Sequence, residues 1–227
     1  IDHLLEIGPG KGAMTSLLLE KCESLTAIEI DKDLIRFLKK AYGDRKNFNL
    51  IEKDILLYDP KELVRVNKLI GNIPYNISTP IIEWIIDNKS SFDEIFLMLQ
   101  KEFGERCVAQ PNTKSYGRLS IFVQCFFDVT VIREVDKSSF DPSPKVQSIF
   151  LKLIPKVSDM TPNSIPMKNL STLTREAFSK RRKLITNSLK SFFTEEDLVN
   201  LGIERKSRPE NLSVETYIKL AKSIQSG

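Results

Sequence analysis

Short apolar runs alternate with stretches of helical periodicity from the first residue to about Pro155. Asp2–Ile7 reads as a strand, Gly12–Cys22 as a helix, Ser24–Ile30 as a strand and Lys32–Ala41 as a helix. Asn47–Glu52 and Lys68–Gly71 follow as strands, Thr79–Asp87 as a helix and Glu94–Leu99 as a strand. Ser120–Phe127 and Val146–Ile154 read as later antiparallel strands. Strands alternating with helices predict an α/β architecture: a doubly wound parallel sheet covered on both faces. Beyond Pro155 the strand signal stops, and Leu173–Ser179, Lys183–Phe192, Glu195–Leu201 and Ser213–Ile224 read as short helices, several with polar starts such as Thr194-Glu-Glu and Ser213-Val-Glu. The pattern predicts two domains, residues 1–155 holding the sheet and 156–227 forming a small helical domain.

Composition narrows the chemistry. The chain has 227 residues, 41% hydrophobic and 28% charged, and its longest apolar runs, such as Ile95–Leu99, fall far short of a bilayer span. Cys22, Cys107 and Cys125 are widely spaced with no C-x-x-C, so reduced thiols and a cytoplasmic setting are expected, without disulfide framework or zinc ribbon. The single histidine, His3, excludes triads and multi-histidine metal sites, and no metal is expected. Starting on Ile1 inside a hydrophobic strand, the chain reads as trimmed at its N-terminus, with no signal peptide. The net charge of +4 is unevenly shared: 21 Lys and Arg against 22 Asp and Glu up to residue 155, then 13 against 8. The excess of cations in the C-terminal part favours an anionic polymer as partner.

Glu6-Ile-Gly8-Pro-Gly10-Lys-Gly12 follows the first strand and opens the first helix. Glycines there let the backbone turn sharply and approach a ligand, but G-x-G-x-G is shorter than the dinucleotide fingerprint and Pro9 lacks an N–H for phosphate. An adenosine-bearing ligand without phosphate fits better. Glu29, ending the second strand, is placed for ribose hydroxyls, and Asp54, after the third, for an adenine amino group; either is otherwise a cap or surface carboxylate. Asp31 is expected to cap the next helix. Gly71-Asn-Ile-Pro-Tyr75 ends the fourth strand, where Asn and Pro also suit an ordinary turn. An exocyclic nucleobase amine is a weak nucleophile, and the Asn72 carboxamide and Ile73 carbonyl offer acceptors for its N–H bonds. Pro74 would fix the backbone and Tyr75 offer a stacking ring, with no histidine required.

In this order, Glu6–Gly12, Glu29, Asp54 and Asn72–Tyr75 resemble the motifs of the S-adenosylmethionine-dependent rRNA adenine-N6 dimethyltransferases. Tyr116-Gly-Arg-Leu-Ser120, Phe140-Asp-Pro-Ser-Pro-Lys-Val146, Ala177-Phe-Ser-Lys-Arg-Arg-Lys183 and Arg208-Pro-Glu-Asn-Leu-Ser213 resemble the KsgA-type, small-subunit branch over essentially the whole chain. The Erm enzymes of large-subunit rRNA share the N-I-P-Y core and are the second reading; a non-catalytic assembly or transcription factor on the same scaffold is the third. The resemblance implies a Rossmann-like methyltransferase sheet with S-adenosylmethionine as cofactor. Its methionine part would lie over Gly8–Gly12, with Glu6 and Asn72 also in the cofactor site, its ribose at Glu29 and its adenine at Asp54 and Ile55. The target adenine would sit between Tyr75 and Phe140. The implied reaction is dimethylation of two neighbouring adenosines near the 3′ end of 16S rRNA in the immature small subunit, by a monomer. Family members carry a segment before the first strand that has no counterpart here.

Lys180, Arg181, Arg182 and Lys183, with Arg175 and Lys190, set six positive charges against Glu176 alone. Four consecutive cations cannot share one helical face. They read as a solvated surface or as phosphate contacts to RNA, and Arg118 and Lys145 as further RNA contacts.

Overall fold

The computed structural model describes residues 2–62, 66–139, 145–156 and 166–224, with the backbone alone at Tyr75. The strands are β1 (His3–Ile7), β2 (Ser24–Glu29), β3 (Phe48–Glu52), β4 (Lys68–Asn72), β5 (Glu94–Gln100), β6 (Phe127–Val135) and β7 (Ser148–Pro155). The α-helices are α1 (Ala13–Leu19), α2 (Lys32–Tyr42), α3 (Ser78–Asp87), α4 (Lys101–Val108), α5 (Arg118–Phe126), α6 (Met167–Ser179), α7 (Ile185–Ser188), α8 (Glu195–Asn200) and α9 (Val214–Ser223).

Among the described residues, seven strands form one sheet in the order β3-β2-β1-β4-β5-β7-β6. β1 to β5 run parallel, and β7 runs antiparallel to β5. The central strands read as near-continuous apolar runs because both faces are covered: Leu5, Leu25, Leu69, Ile95 and Leu97 are fully buried. Asp31 caps α2 as expected, its Oδ1 accepting from the amides of Asp33 (2.8 Å) and Leu34 (3.1 Å).

The chain divides into two compact units, residues 1–104 with 128–155, and residues 105–127 with 156–227. The boundary expected after Pro155 is one of the crossings between them, but the second unit also takes in 105–127. Its core explains why: Tyr116, Ile121 and Val123 are fully buried, as are Leu170, Leu173, Tyr217 and Leu220.

The segment expected as the strand Ser120–Phe127 is the helix α5. Its β-branched and aromatic residues suit a strand, but contacts distant in sequence decide the matter. Ser120 Oγ accepts from the Gly117 amide at 3.0 Å and donates to the Arg106 carbonyl at 2.6 Å. The Gln124 amide donates to the carbonyls of Cys107 (2.9 Å) and Ala109 (2.8 Å), satisfying the end of α4. The helix expected over Lys183–Phe192 contracts to α7, and residues 180–183 lie in a turn after α6.

Candidate active site

β1 lies between β2 and β4, so the strand order reverses there, the place where doubly wound sheets open a crevice beyond their carboxyl ends. Ile7 pairs in register with Gly71. The loop after β1 and the loop after β4 therefore start side by side.

Gly8, Gly10 and Gly12 all take left-handed backbone, with φ of 61°, 59° and 77°. The turn is held by the Gly8 amide donating to Ile28 O (3.0 Å) and the Gly12 amide donating to Pro9 O (2.9 Å). No atom lies within 4 Å of where a Cβ would stand on Gly8 or Gly10, whereas at Gly12 it would meet the Tyr42 ring at 2.7 Å. The first two glycines thus leave backbone open to a ligand, and the third makes room for packing.

The neighbouring carboxylates differ in role. Glu29 is buried; its Oε1 accepts from the amides of Ile30 (2.9 Å) and Asp31 (3.0 Å), and its Oε2 from Gly10 at 3.4 Å. It holds the end of β2 and steadies the glycine turn, while the long contact at Oε2 leaves capacity for a hydroxyl donor. The Lys53 amide donates to Glu29 O at 3.1 Å, which sets the Asp54–Ile55 turn beside it. Asp54 Oδ1 accepts from Leu56 at 3.0 Å, and Ile55 is buried. Ile30, by contrast, is 65% exposed immediately after Glu29. It offers an apolar face at the same edge, a signal readable from its position after the acidic residue but not singled out from the sequence.

Glu6 is fully buried within β1. Thr15 Oγ1 donates to its Oε2 at 2.7 Å, and among the described residues Oε1 has no partner. Burial pushes its carboxyl up to about 7, against which the Thr15 bond works.

At the end of β4, Ile73 is buried and its amide donates to Met98 O at 3.0 Å, anchoring the turn to β5. Pro74 O accepts from the Ile77 amide (3.1 Å) and Ser78 Oγ (3.4 Å). Asn72 is exposed, and no hydrogen bond engages its carboxamide among the described residues. Phe140 lies outside the described residues, as does the Tyr75 side chain. Glu6, Gly8–Gly12, Glu29, Asp54, Ile55 and Asn72–Pro74 thus gather at the carboxyl ends of four adjacent parallel strands. An open glycine backbone, an orphaned buried oxygen, acidic acceptors and the apolar Ile30 suit an adenosine with a charged amino-acid tail.

Lys145 is exposed in the first unit; Arg118, Lys180, Arg182 and Lys183 are exposed in the second. Arg181 differs, its Nε donating to Glu210 Oε2 at 2.5 Å and its Nη2 to Thr113 O at 3.1 Å. Among the described residues no cluster of His, Cys, Asp or Glu suits a metal ion, and no helix is long and apolar enough to cross a membrane.

Known proteins place these features in context. The family profile described as "Ribosomal RNA adenine dimethylase" matches residues 1–226. A Legionella pneumophila (strain Corby) protein named "Ribosomal RNA small subunit methyltransferase A" is 41% identical over 226 residues, 99% of this chain and 88% of its own length. A protein of the same name from Dechloromonas aromatica is 40% identical over 221 residues, 97% of this chain and 86% of its own. Among solved structures, a dimethyladenosine transferase from Plasmodium falciparum superposes with a TM-score of 0.81 at 31% identity, covering 97% of this chain and 88% of that one. The 23S rRNA methyltransferase ErmE reaches 0.73 at 22% identity, over 98% of this chain and 91% of its own, a likeness of fold.

Proposed function

Because the chain belongs to the ribosomal RNA adenine dimethylase family, we propose that its glycine-loop crevice carries out S-adenosylmethionine-dependent N6-dimethylation of adenosine in small-subunit rRNA. The protein is an rRNA adenine methyltransferase with a Rossmann-like sheet. The finer parts of the reading are two neighbouring adenosines near the 3′ end of 16S rRNA, an immature subunit as target, the cytoplasm as compartment and a monomer as the working unit. The observation that carries it is the pairing of Ile7 with Gly71, which sets the open glycines beside Asn72–Tyr75.

Bound, the cofactor supplies a methyl group on a sulfonium, activated for transfer to a weak nucleophile. Gly8 and Gly10 admit its amino-acid end against bare backbone, Glu29 accepts from ribose hydroxyls, and Asp54 with Ile55 and Ile30 receives the adenine. The Asn72 carboxamide oxygen and the Ile73 carbonyl accept the N–H bonds of the target amine and orient its lone pair, while Pro74 fixes the backbone that presents them. As that nitrogen becomes cationic, both acceptors hold it more strongly than in the ground state, and this difference lowers the barrier. The surplus proton passes to water. Tyr75 and Phe140 are assigned to the two faces of the flipped base.

Methyl transfer from labelled cofactor to undermethylated small and large ribosomal subunits assayed in parallel, with dimethyladenosine read by mass spectrometry, tests the reading. Dimethyladenosine near the 3′ end is the expected product. Label only in large-subunit rRNA would favour the Erm-type activity, and binding without transfer a non-catalytic factor.

A further inference from the structure

Gly8, Gly10 and Gly12 are each tied to the segment that runs from β2 through α2. The Gly8 amide donates to Ile28 O at 3.0 Å and the Gly10 amide to Glu29 Oε2 at 3.4 Å, while the Gly12 carbonyl accepts from the Tyr42 hydroxyl at 3.1 Å. The first two partners stand at the end of β2. Tyr42 is the last residue of α2 and reaches back to the turn through its side chain. That side chain is itself held. Its ring meets Phe48 of β3 edge-on with centroids 5.7 Å apart and packs on the cluster of Leu4, Leu19 and Leu25, and the Tyr42 carbonyl accepts from the Arg45 amide at 2.9 Å. A Cβ on Gly12 would stand 2.7 Å from the ring, so ring and glycine backbone approach closely.

The turn needs such an outside hold because it supplies little of its own. Its three left-handed glycines have the widest backbone freedom of any residue, and nothing lies within 4 Å of where a side chain would stand on Gly8 or Gly10. Its shape is therefore set from its two ends. Gly8 fixes the near end to the sheet. Gly12 is the far end: its amide closes the turn on Pro9 O at 2.9 Å, and it stands at the N-cap of α1 with no side chain to cap with. Tyr42 fixes Gly12 from α2 by ring and hydroxyl together. The hydroxyl is not required to satisfy the carbonyl, since Gly12 O also accepts from the Ser16 amide at 3.0 Å. What it adds is location.

We infer that Tyr42 is a positioning residue for the cofactor: it holds Gly12, and through the closure of Gly12 on Pro9 the bare backbone of Gly8 and Gly10, in the form that admits the amino-acid end of S-adenosylmethionine. This rests on the assignment of that end to the glycine turn. A turn already fixed loses less conformational freedom on binding, so the pin raises affinity without Tyr42 touching the cofactor. In the sequence Tyr42 lies just beyond the helix expected over Lys32–Ala41, and its link to Gly12 spans 30 residues.

Calorimetric titration of the wild type, Tyr42→Phe and Asn47→Ala with S-adenosylmethionine is the test. Tyr42→Phe keeps the ring and strands no carbonyl, so its circular dichroism should match the wild type. Its cofactor affinity should fall about three- to tenfold, the scale of one net hydrogen bond. Asn47→Ala controls for general loosening of the same layer: it removes the Asn47 Nδ2 bond to Leu19 O (3.0 Å), at the opposite end of α1. It should lower the melting midpoint at least as far as Tyr42→Phe does, yet bind cofactor within about twofold of the wild type. In methyl transfer, Tyr42→Phe should raise the KM for the cofactor and leave kcat at saturating cofactor near the wild-type value, since Asn72 and Ile73 stand on a separate turn. Unaltered affinity in Tyr42→Phe, an equal loss in Asn47→Ala, or a kcat that falls as far as the affinity would each overturn the positioning role. Gly10→Ala, which places a methyl on the bare backbone itself, separates that failure from failure of the underlying assignment. A defect in Gly10→Ala beside an unaffected Tyr42→Phe would overturn the role of Tyr42 alone. Wild-type affinity in both variants would remove the cofactor's amino-acid end from this turn, and the role of Tyr42 with it.

Discussion

Thr15 Oγ1 sits 2.7 Å from Glu6 Oε2 and is the one hydrogen-bond donor to a carboxyl group whose other oxygen, among the described residues, meets no partner. Both side chains are fully buried. Burial raises the Glu6 carboxyl from 4.5 to about 7, so between those values the folded protein keeps a proton that the unfolded chain releases. The sign follows from linkage: the folded state binds more protons there, so this group's contribution to stability is fully present below the lower value and is lost as pH rises to the upper one. The loss approaches about 3 kcal/mol at most. In the absence of cofactor, Glu6→Gln should abolish this part of the pH dependence while still accepting from Thr15. Urea denaturation of both proteins at pH 5 and pH 8 measures it: the variant should gain on the wild type between the two, and parallel curves would mean that the carboxyl is ionised throughout.

Asn72 ends β4 exposed, on a turn fixed independently by the Ile73 amide on Met98 O. Its carboxamide is therefore dispensable for the fold and available to a substrate. Asn72→Ala should lower methyl transfer by at least about tenfold, because an acceptor that tightens as the amine gains charge acts on the transition state more than on bound reactants. Cofactor affinity, read by calorimetry, should change far less. Equal losses in both would make Asn72 a part of the cofactor site rather than an acceptor for the target amine.

The glycine turn separates backbone strain from ligand space. At Gly10 a Cβ meets nothing within 4 Å, yet its φ of 59° disfavours any L side chain. Gly10→Ala should therefore cost the fold only about 1 to 2 kcal/mol, while the added methyl stands where a cofactor approaches bare backbone. The expected outcome is a cofactor affinity lowered by more than tenfold on the scale of a few lost contacts, about 1.4 kcal/mol or more, with the fold retained by circular dichroism. An unaltered affinity would move the methionine end of the cofactor away from this turn.

What the sequence made legible follows from how local each determinant is. β1 to β4 carry their own apolar runs, and the acidic or amide residues at their ends are visible as punctuation, so the crevice containing Gly8, Glu29, Asp54 and Asn72 was readable in order. Asp31 was readable as a cap because its partners lie two and three residues away. α5 was not, because Ser120 and Gln124 satisfy carbonyls 14 to 17 residues back, and a short apolar run alone does not distinguish a strand from a helix. β6 was missed for another reason: it is an edge strand, exposed from Thr130 to Glu134, and its alternation of apolar and polar residues runs only from Phe127 to Val131 before Ile132 breaks it. Arg181 looked like one cation of four; its partner Glu210 is 29 residues away, a distance at which charge counting carries no geometry.

The same non-local logic gives the two blocks Tyr116–Ser120 and Arg208–Ser213 a structural role. Tyr116 donates its hydroxyl to Leu212 O at 2.9 Å and Tyr217 donates to Pro209 O at 2.8 Å, both from fully buried rings. Two carbonyls of the second block thus depend on phenols that water does not reach. Tyr116→Phe keeps the ring against Phe178 but strands the Leu212 carbonyl, and the desolvated acceptor should cost about 1 to 3 kcal/mol. The melting midpoint should fall by several degrees. Tyr116→Leu should fall further, since it also forfeits the aromatic contact with Phe178. Cofactor affinity should stay near the wild-type value in Tyr116→Phe, because the glycine turn belongs to the other compact unit. A Tyr116→Phe protein as stable as the wild type would show that the Leu212 carbonyl finds another donor, and would leave packing as the whole contribution of Tyr116.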